Sequence, residues 1–117
     1  MIELLSFSKS YHEGQAAVEG VTFTCEEGMI TGLLGENGAG KTTTIEMITG
    51  ILGIDEGDIF IDGKSISKDP LNAKKLFGFV PDTPDAFEKL TALEYLNFIG
   101  DVYEVSPEER KEKIETL

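Results

Sequence analysis

Short runs of apolar residues, some alternating and some continuous, divide the chain into segments with the periodicity of strands and helices. In residues 17–26, Val21, Phe23 and Cys25 alternate with polar neighbours, which is typical of a strand with one buried face. Residues 29–34 are almost continuously apolar, as in a strand that is buried on both faces. The pattern therefore predicts both kinds of strand within the first third of the chain.

Helical periodicity follows the second of these strands. Ile45, Ile48 and Leu52 share one face of a helix predicted over residues 41–52, and Gly53 is placed to be its C′ residue. A buried strand that leads through a glycine-rich segment into an amphipathic helix is the context of a strand–loop–helix unit.

Capping signals mark two further helices near the end of the chain. Thr91 and Glu94 form a capping box, and Ser106 precedes a proline and two glutamates in a similar pattern. The second of these helices is predicted to run to Leu117. The remaining predicted elements are strands at residues 2–8, 57–61 and 77–80, a turn at 11–14 and a short helix at 69–75.

The composition is that of one small acidic domain. With 117 residues, 40% of them hydrophobic, the chain can form a modest core. Its formal net charge of −12 argues against a surface that binds nucleic acid by neutralising phosphates. The single Cys25 excludes an internal disulfide and fits a reducing compartment. The sequence has no signal peptide and no membrane-spanning run, so we expect a cytoplasmic protein.

The most specific chemical signal is the segment Gly-Glu-Asn-Gly-Ala-Gly-Lys-Thr at residues 35–42, which matches the phosphate-binding loop pattern Gly-x-x-x-x-Gly-Lys-Ser/Thr. Gly35, Gly38 and Gly40 allow the backbone to curl so that successive N–H groups point into a common cup. The cup opens at the N-terminus of the predicted helix, where the helix dipole favours anions.

Two side chains of the loop carry the chemistry of a nucleoside triphosphate site. Lys41 should bring its ammonium to the β- and γ-phosphates, and the Thr42 hydroxyl should ligate a Mg²⁺ that bridges them. Hydrolysis also needs an acidic residue at the end of a downstream strand, yet only residues 29–34 and 77–80 look like strands of the parallel sheet. We therefore expect the 117-residue chain to bind a nucleoside triphosphate without turning it over.

Together these residues resemble the N-terminal half of the ATP-binding subunit of ABC transporters. The resemblance covers nearly the whole chain, and the Glu-Asn-Gly-Ala sequence inside the loop is a more specific signal than the bare loop motif. It implies an α/β fold, a partial P-loop NTPase core with an antiparallel β subdomain. The similarity is carried by Tyr11, residues 21–23 and 28–44, Thr49, Gly50, Gly57, Asp62 and Gly63.

The resemblance also implies a domain organisation and site residues. Residues 1–117 would be the N-terminal part of an ABC ATP-binding domain, with the phosphate-binding loop at 35–42, a Q-loop-equivalent region at 80–90 and the start of a helical subdomain at 91–117. Tyr11 resembles the aromatic that stacks on adenine, although a tyrosine at a strand end that packs on its neighbours is the alternative. The implied ATP-binding residues are Tyr11, Gly35, Glu36, Asn37, Gly38, Ala39, Gly40, Lys41, Thr42 and Thr43, with Thr43 as a second hydroxyl on phosphate.

At Asp82 the sequence departs from the family, which has a Gln that touches Mg²⁺ and the attacking water. A carboxylate can accept from a Mg²⁺-bound water, but it is shorter than Gln, charged and unable to donate. Asp82 is either a catalytic and metal-sensing residue, with Lys41 as the other catalytic residue, or a turn residue in Pro-Asp-Thr-Pro-Asp. The family's signature sequence, its downstream acidic residue and its switch His are absent, and His12 lies in the wrong half to supply the last.

Two partners follow from the resemblance: a second ATP-binding subunit, which with this one encloses two ATP molecules, and a membrane permease contacted near residues 83–90. The protein would then be peripheral at the inner face of the cell membrane. The alternatives are a soluble ABC ATPase without a permease and another P-loop NTPase such as a GTPase. No Asp-x-x-Gly or Asn-Lys-x-Asp sequence supports a GTPase.

Overall fold

The computed structural model describes residues 1–12, 15–82 and 88–117. Its contacts divide the chain into two compact units, Met1–Phe79 and Val80–Leu117, and each is described by itself. The predicted turn at residues 11–14 lies in part outside the described residues. At its start the prediction is wrong, because the first strand continues to His12.

The first unit contains an antiparallel sheet of four strands. Its strands are β1 (Ile2–His12), β2 (Gln15–Cys25), β3 (Glu56–Ile61) and the short β4 (Lys64–Ser65), in the spatial order β2-β1-β3-β4. The predicted strands near residues 2–8, 17–26 and 57–61 are therefore confirmed. Every neighbouring pair is antiparallel, as expected for the β subdomain.

The core lies on one face of this sheet. Leu4 and Phe7 of β1 and Ile59 of β3 are fully buried there, and so is Met47 of the first helix. Burial of such side chains stabilises a domain by about 1.5–3 kcal/mol each. The whole buried apolar cluster consists of Leu4, Phe7, Val18, Met47, Ile59, Ile61, Ile66 and Ala73.

Helix α1 is Lys41–Ile48, four residues shorter than predicted. It ends in a Schellman motif: the Gly50 N–H donates to the Met47 carbonyl at 3.0 Å and the Ile51 N–H donates to the Glu46 carbonyl at 2.9 Å. The residue in the left-handed region is Gly50, with φ of 67°, so the prediction of Gly53 as the C′ residue is wrong. The first glycine able to take this conformation ends the helix.

Two predicted strands do not form. Residues 29–34 and 77–80 have no ladder partner among the described residues, and Ile30, Leu34 and Val80 are almost fully exposed. An apolar run favours a buried strand, but a strand exists only where a neighbour pairs with its N–H and C=O groups. The predicted short helix is observed as α2 (Pro70–Lys74).

The second unit contains two helices, α3 (Ala92–Val102) and α4 (Pro107–Thr116). The predicted capping box of α3 is present, because the Thr91 N–H donates to the Glu94 carboxylate at 2.8 Å and the Glu94 N–H donates to the Thr91 hydroxyl at 3.3 Å. Arg110 of α4 donates to the Asp101 carboxylate of α3 at 2.8 Å and to the Val105 carbonyl of the loop between the helices at 2.9 Å. No helix of the described residues is long and apolar enough to span a membrane.

Candidate phosphate-binding site

Residues 35–40 curl tightly before α1. The Ala39 N–H donates to the Glu36 carbonyl at 3.1 Å, which closes a turn, and Gly38 and Gly40 have φ of 86° and 90°. These values lie in the region that glycine adopts without strain. Gly35 serves a different purpose, since a Cβ at this position would lie 3.2 Å from the Ala39 Cβ and crowd the curl.

The curl packs directly against strand β2. A Cβ on Gly40 would lie 2.7 Å from the Ala17 carbonyl oxygen and 2.9 Å from Val18 Cγ2. Glycine at this position therefore allows the start of α1 to approach the backbone of β2. The sheet and the loop meet at this point, which fixes where the N-terminus of α1 lies relative to the strands.

Lys41 folds back along the inside of the loop. Its ammonium donates to the Gly35 carbonyl and, at 2.6 Å, to the Glu36 carbonyl. The charge is thus held against the backbone carbonyl groups of the curl. A charge in this position adds to the field of the helix N-terminus and attracts an anion placed over the loop.

The N-terminus of α1 has no side-chain cap. Gly40 occupies the N-cap position, and the first turn carries no acidic residue. The first backbone bond of the helix runs from the Thr44 N–H to the Gly40 carbonyl at 2.9 Å. Because the N–H groups of a first turn have no partner within the helix, this end offers donors to a ligand.

Tyr11, near the end of β1, contacts the same helix turn. Its hydroxyl lies 3.2 Å from the Thr43 hydroxyl, and either group can donate. Thr43 is 9% exposed and Tyr11 is 54% exposed, so the hydroxyl is anchored while the ring is open to solvent. The contact brings together two predicted site residues that are far apart in the sequence.

A pocket of about 340 Å³ lies over these groups. Predicted site residues supply most of its lining, and Gly35, Glu36 and Ala39 shape it through the loop backbone. Sequence analysis missed Ala17, which lines the pocket beside Gly40; a backbone contact of this kind has no signature in the sequence. The lining residues are Tyr11, Ala17, Asn37, Gly38, Gly40, Lys41, Thr42 and Thr43.

Asp82 is not brought to this pocket by any described contact. It is exposed and belongs to the second unit. Residues 83–87, most of the predicted permease-facing segment, lie outside the described residues. Within residues 1–12, 15–82 and 88–117, no group of three or more His, Cys, Asp or Glu side chains could hold a metal ion.

Comparison with known proteins places this geometry in a family. The family model described as "ABC transporter" matches residues 18–117. The ABC-type transporter ATP-binding protein EcsA of Bacillus subtilis is 37% identical over 100 residues, which cover 86% of this chain and 40% of EcsA. The lipopolysaccharide export system ATP-binding protein LptB of Haemophilus influenzae is 37% identical, over 96% of this chain and 47% of LptB.

Solved structures give the same result. The structure of an ATP-binding subunit of an ABC transporter superposes with a TM-score of 0.81 at 34% identity, over 92% of this chain and 44% of that one. A dimeric ATP-binding cassette in a post-hydrolysis state, bound to ADP and Pi, superposes with a TM-score of 0.76 at 27% identity, over 96% of this chain and 53% of that one. The chain spans about half the length of each of these four relatives.

Proposed function

The chain belongs to the ABC transporter family, and from this premise we propose that its phosphate loop binds Mg-ATP in the ATPase subunit of a transporter. The predicted family, the P-loop ATPase fold with an antiparallel β subdomain, and the ATP-binding role within the family are confirmed by the comparisons.

The observation that carries the proposal is the position of the Lys41 ammonium beside an uncapped helix end. The ammonium contacts two carbonyl oxygens of the loop, Gly35 and Glu36, and both are neutral acceptors. Phosphate oxygens carry full charge, so a bound triphosphate would compete well for the same donor. The N–H groups at the start of α1 would contact the same anion.

Tyr11 is the proposed base-binding residue. It lines the pocket together with residues of the glycine-rich curl, and its side chain is half-exposed, so an adenine could stack on the ring. The hydroxyl contact with Thr43 orients the ring toward the helix end that would hold the phosphates. A nucleotide that lies across the pocket would therefore touch both residues.

The donor set at the loop fits a Mg²⁺ ion that is held mainly by the nucleotide. Mg²⁺ binds through one or two protein oxygens together with substrate phosphates and waters, so a single hydroxyl from the loop is sufficient. Thr42 is exposed and lines the pocket, and we assign it as the residue that would ligate the ion. The ion would neutralise phosphate charge, and Asp82 would contact one of its waters in the complete ATPase.

We propose further that the complete protein forms a dimer of ATP-binding subunits and drives a permease from the cytoplasmic side of the cell membrane. The dimeric cassette bound to ADP and Pi, and the names of EcsA and LptB as transporter ATP-binding proteins, support this proposal. Affinity purification of the complete protein from detergent-solubilised membranes tests it. Recovery without any integral membrane protein would favour the soluble ABC ATPase.

Calorimetry of ATP binding tests the phosphate loop. A charge-assisted hydrogen bond contributes roughly 1.5–3 kcal/mol, so Lys41→Ala should weaken Mg-ATP binding by about 10- to 150-fold. Lys68→Ala is the matched control, because Lys68 is an exposed lysine in the turn before α2 and loses the same charge. Equal affinities of the parent and Lys41→Ala would refute the site, and preference for GTP over ATP would refute the adenine assignment.

A further inference from the structure

Asp55, in the connection between α1 and β3, is fastened to three successive residues of β1. Its N–H donates to the Ser8 carbonyl at 3.1 Å. One carboxylate oxygen accepts from the Lys9 ammonium at 2.6 Å, and the other accepts from the Ser10 N–H at 2.9 Å. We call these three contacts of Asp55 the clamp. Ser10 and Asp55 are 45 residues apart in the sequence, so the clamp forms only when the chain is folded.

The clamp lies at the point where β1 is no longer paired with β3. The pairing of β1 with β3 ends at Ser8 and Glu56, after a register shift, while β2 continues to pair with β1 as far as His12. Beyond Ser8, the Asp55 carboxylate therefore provides the acceptor that a longer β3 would have supplied. The next residue after Ser10 is Tyr11.

The charge state of Asp55 suits this task. The hydrogen bond from Lys9, followed by that from the Ser10 N–H, holds the pKa of the carboxyl below its ordinary value. The side chain is therefore ionised at neutral pH, and a carboxylate accepts from two donors at once more strongly than a neutral group does.

We propose that Asp55 is a positioning residue for nucleotide binding, which holds the end of β1 so that the Tyr11 ring is presented to the base. The inference rests on the proposed stacking role of Tyr11. Besides the pairing with β2, the end of β1 is held by the Asp55 clamp and by the hydroxyl bond from Tyr11 to Thr43. Loss of the clamp leaves the strand end held only by β2 and by the Thr43 contact, so its position is less restricted. The phosphate loop, which packs on Ala17 and Val18 of β2, keeps its place.

The test compares two ligands, ATP and inorganic triphosphate, because only ATP has a base. Stacking on an aromatic side chain contributes about 1–3 kcal/mol per base, and partial loss of position should weaken ATP binding by about 3- to 10-fold. We expect this loss for Asp55→Ala, with triphosphate affinity changed by less than about 2-fold. Tyr11→Ala should show the same selectivity, and the double variant should lose little more than Tyr11→Ala alone.

Asp58→Ala is the matched control. The Asp58 carboxylate likewise accepts two hydrogen bonds, from the Ile59 N–H at 2.8 Å and the Ser65 hydroxyl at 2.7 Å, but it serves β3 and β4. Its loss should lower the free energy of unfolding without changing the ratio of ATP to triphosphate affinity. A residue that only stabilises the fold should therefore leave the ratio of ATP to triphosphate affinity unchanged.

Asp55→Asn is the conservative variant, and it serves if Asp55→Ala fails to fold. An amide oxygen can still accept from the Ser10 N–H, so the ratio of ATP to triphosphate affinity should be close to that of the parent. Amide exchange at Ser10 should be only moderately faster than in the parent. Equal losses for both ligands in Asp55→Ala, with Tyr11→Ala still selective, would overturn the inference and leave the proposed function intact. A non-selective Tyr11→Ala would instead refute the stacking role and, with it, the inference.

Discussion

Gly38 and Gly40 form a matched pair that separates backbone strain from steric contact. Both have positive φ, 86° and 90°, so an alanine at either position pays the same kind of conformational penalty. A Cβ on Gly38 meets no atom within 4 Å, whereas a Cβ on Gly40 would lie 2.7 Å from the Ala17 carbonyl oxygen. The two substitutions therefore differ mainly in whether α1 must move away from β2.

The expected magnitudes follow from these contacts. A left-handed conformation costs a residue with a Cβ roughly 1–2 kcal/mol, and this should be the whole effect of Gly38→Ala. Overpacking against a well-ordered neighbour adds about 1–3 kcal/mol, so Gly40→Ala should lower the free energy of unfolding by about 2–5 kcal/mol. For a small domain with a total stability of about 5–15 kcal/mol, the second loss is large.

Urea unfolding followed by circular dichroism measures both effects. With a slope of about 1–3 kcal/mol per molar urea, the midpoint of Gly40→Ala should lie roughly 1 M below that of Gly38→Ala. Equal midpoints for the two variants would refute the argument, because they would mean that the approach of α1 to β2 does not limit the volume at residue 40.

Other changes test the clamp, the helix cap and the chemistry separately. The pKa of Asp55 is lowered in the folded protein, so its carboxylate stabilises the fold fully above the ordinary pKa of 3.8. This stabilisation is lost as the pH falls through the lowered pKa of the folded state. In urea unfolding at acid pH, the stability difference between the parent and Asp55→Asn should therefore shrink over this pH range. Thr91→Ala should cost about 1 kcal/mol and speed amide exchange in the first turn of α3. The 117-residue chain should release no more phosphate from ATP than its Lys41→Ala variant. In the complete ATPase, Asp82→Ala should lower turnover with little change in ATP affinity, whereas unchanged turnover would favour the turn residue.

Features that depend on local chemistry could be predicted from the sequence. The capping box of α3 needs only Thr91 and Glu94 at the right spacing, and it is present. The phosphate loop needs only its glycines, Lys41 and the following helix, and the structure gathers these residues around one pocket. Each such feature is formed by residues within about eight positions of one another, so a short sequence window contains the groups that define it.

The end of α1 shows where local patterns fail. Leu52 fits the apolar face of a longer helix, and this periodicity favoured Gly53 as the C′ residue. In the structure Gly50 ends the helix, and Leu52 packs against the core from the connection that follows. A side chain can reach the same core from helix or loop, so its periodic position does not determine where the hydrogen bonds stop.

Contacts between distant segments carry no sequence signature at all. The Ala17 carbonyl matters because Gly40 packs on it, and Asp55 matters because it receives the Ser10 N–H. Neither residue belongs to a recognisable motif. Both act on the site through the position of a strand, which only the folded chain reveals.

The two apolar segments at residues 29–34 and 77–80 carry the clearest conflict between pattern and structure. Their sequences have the continuous apolar character of strands buried on both faces, yet Met29 is 70% exposed and Leu34 is 92% exposed. Burial of a strand requires a paired strand on each side and a covering layer on each face. These come from other parts of the sheet and cannot be read from the sequence of the segment itself. The first segment also leads directly into the phosphate loop, so a strand that paired with residues 29–34 would restrain the loop as well. Nucleotide affinity should therefore depend on strand pairing at these residues as well as on the loop itself.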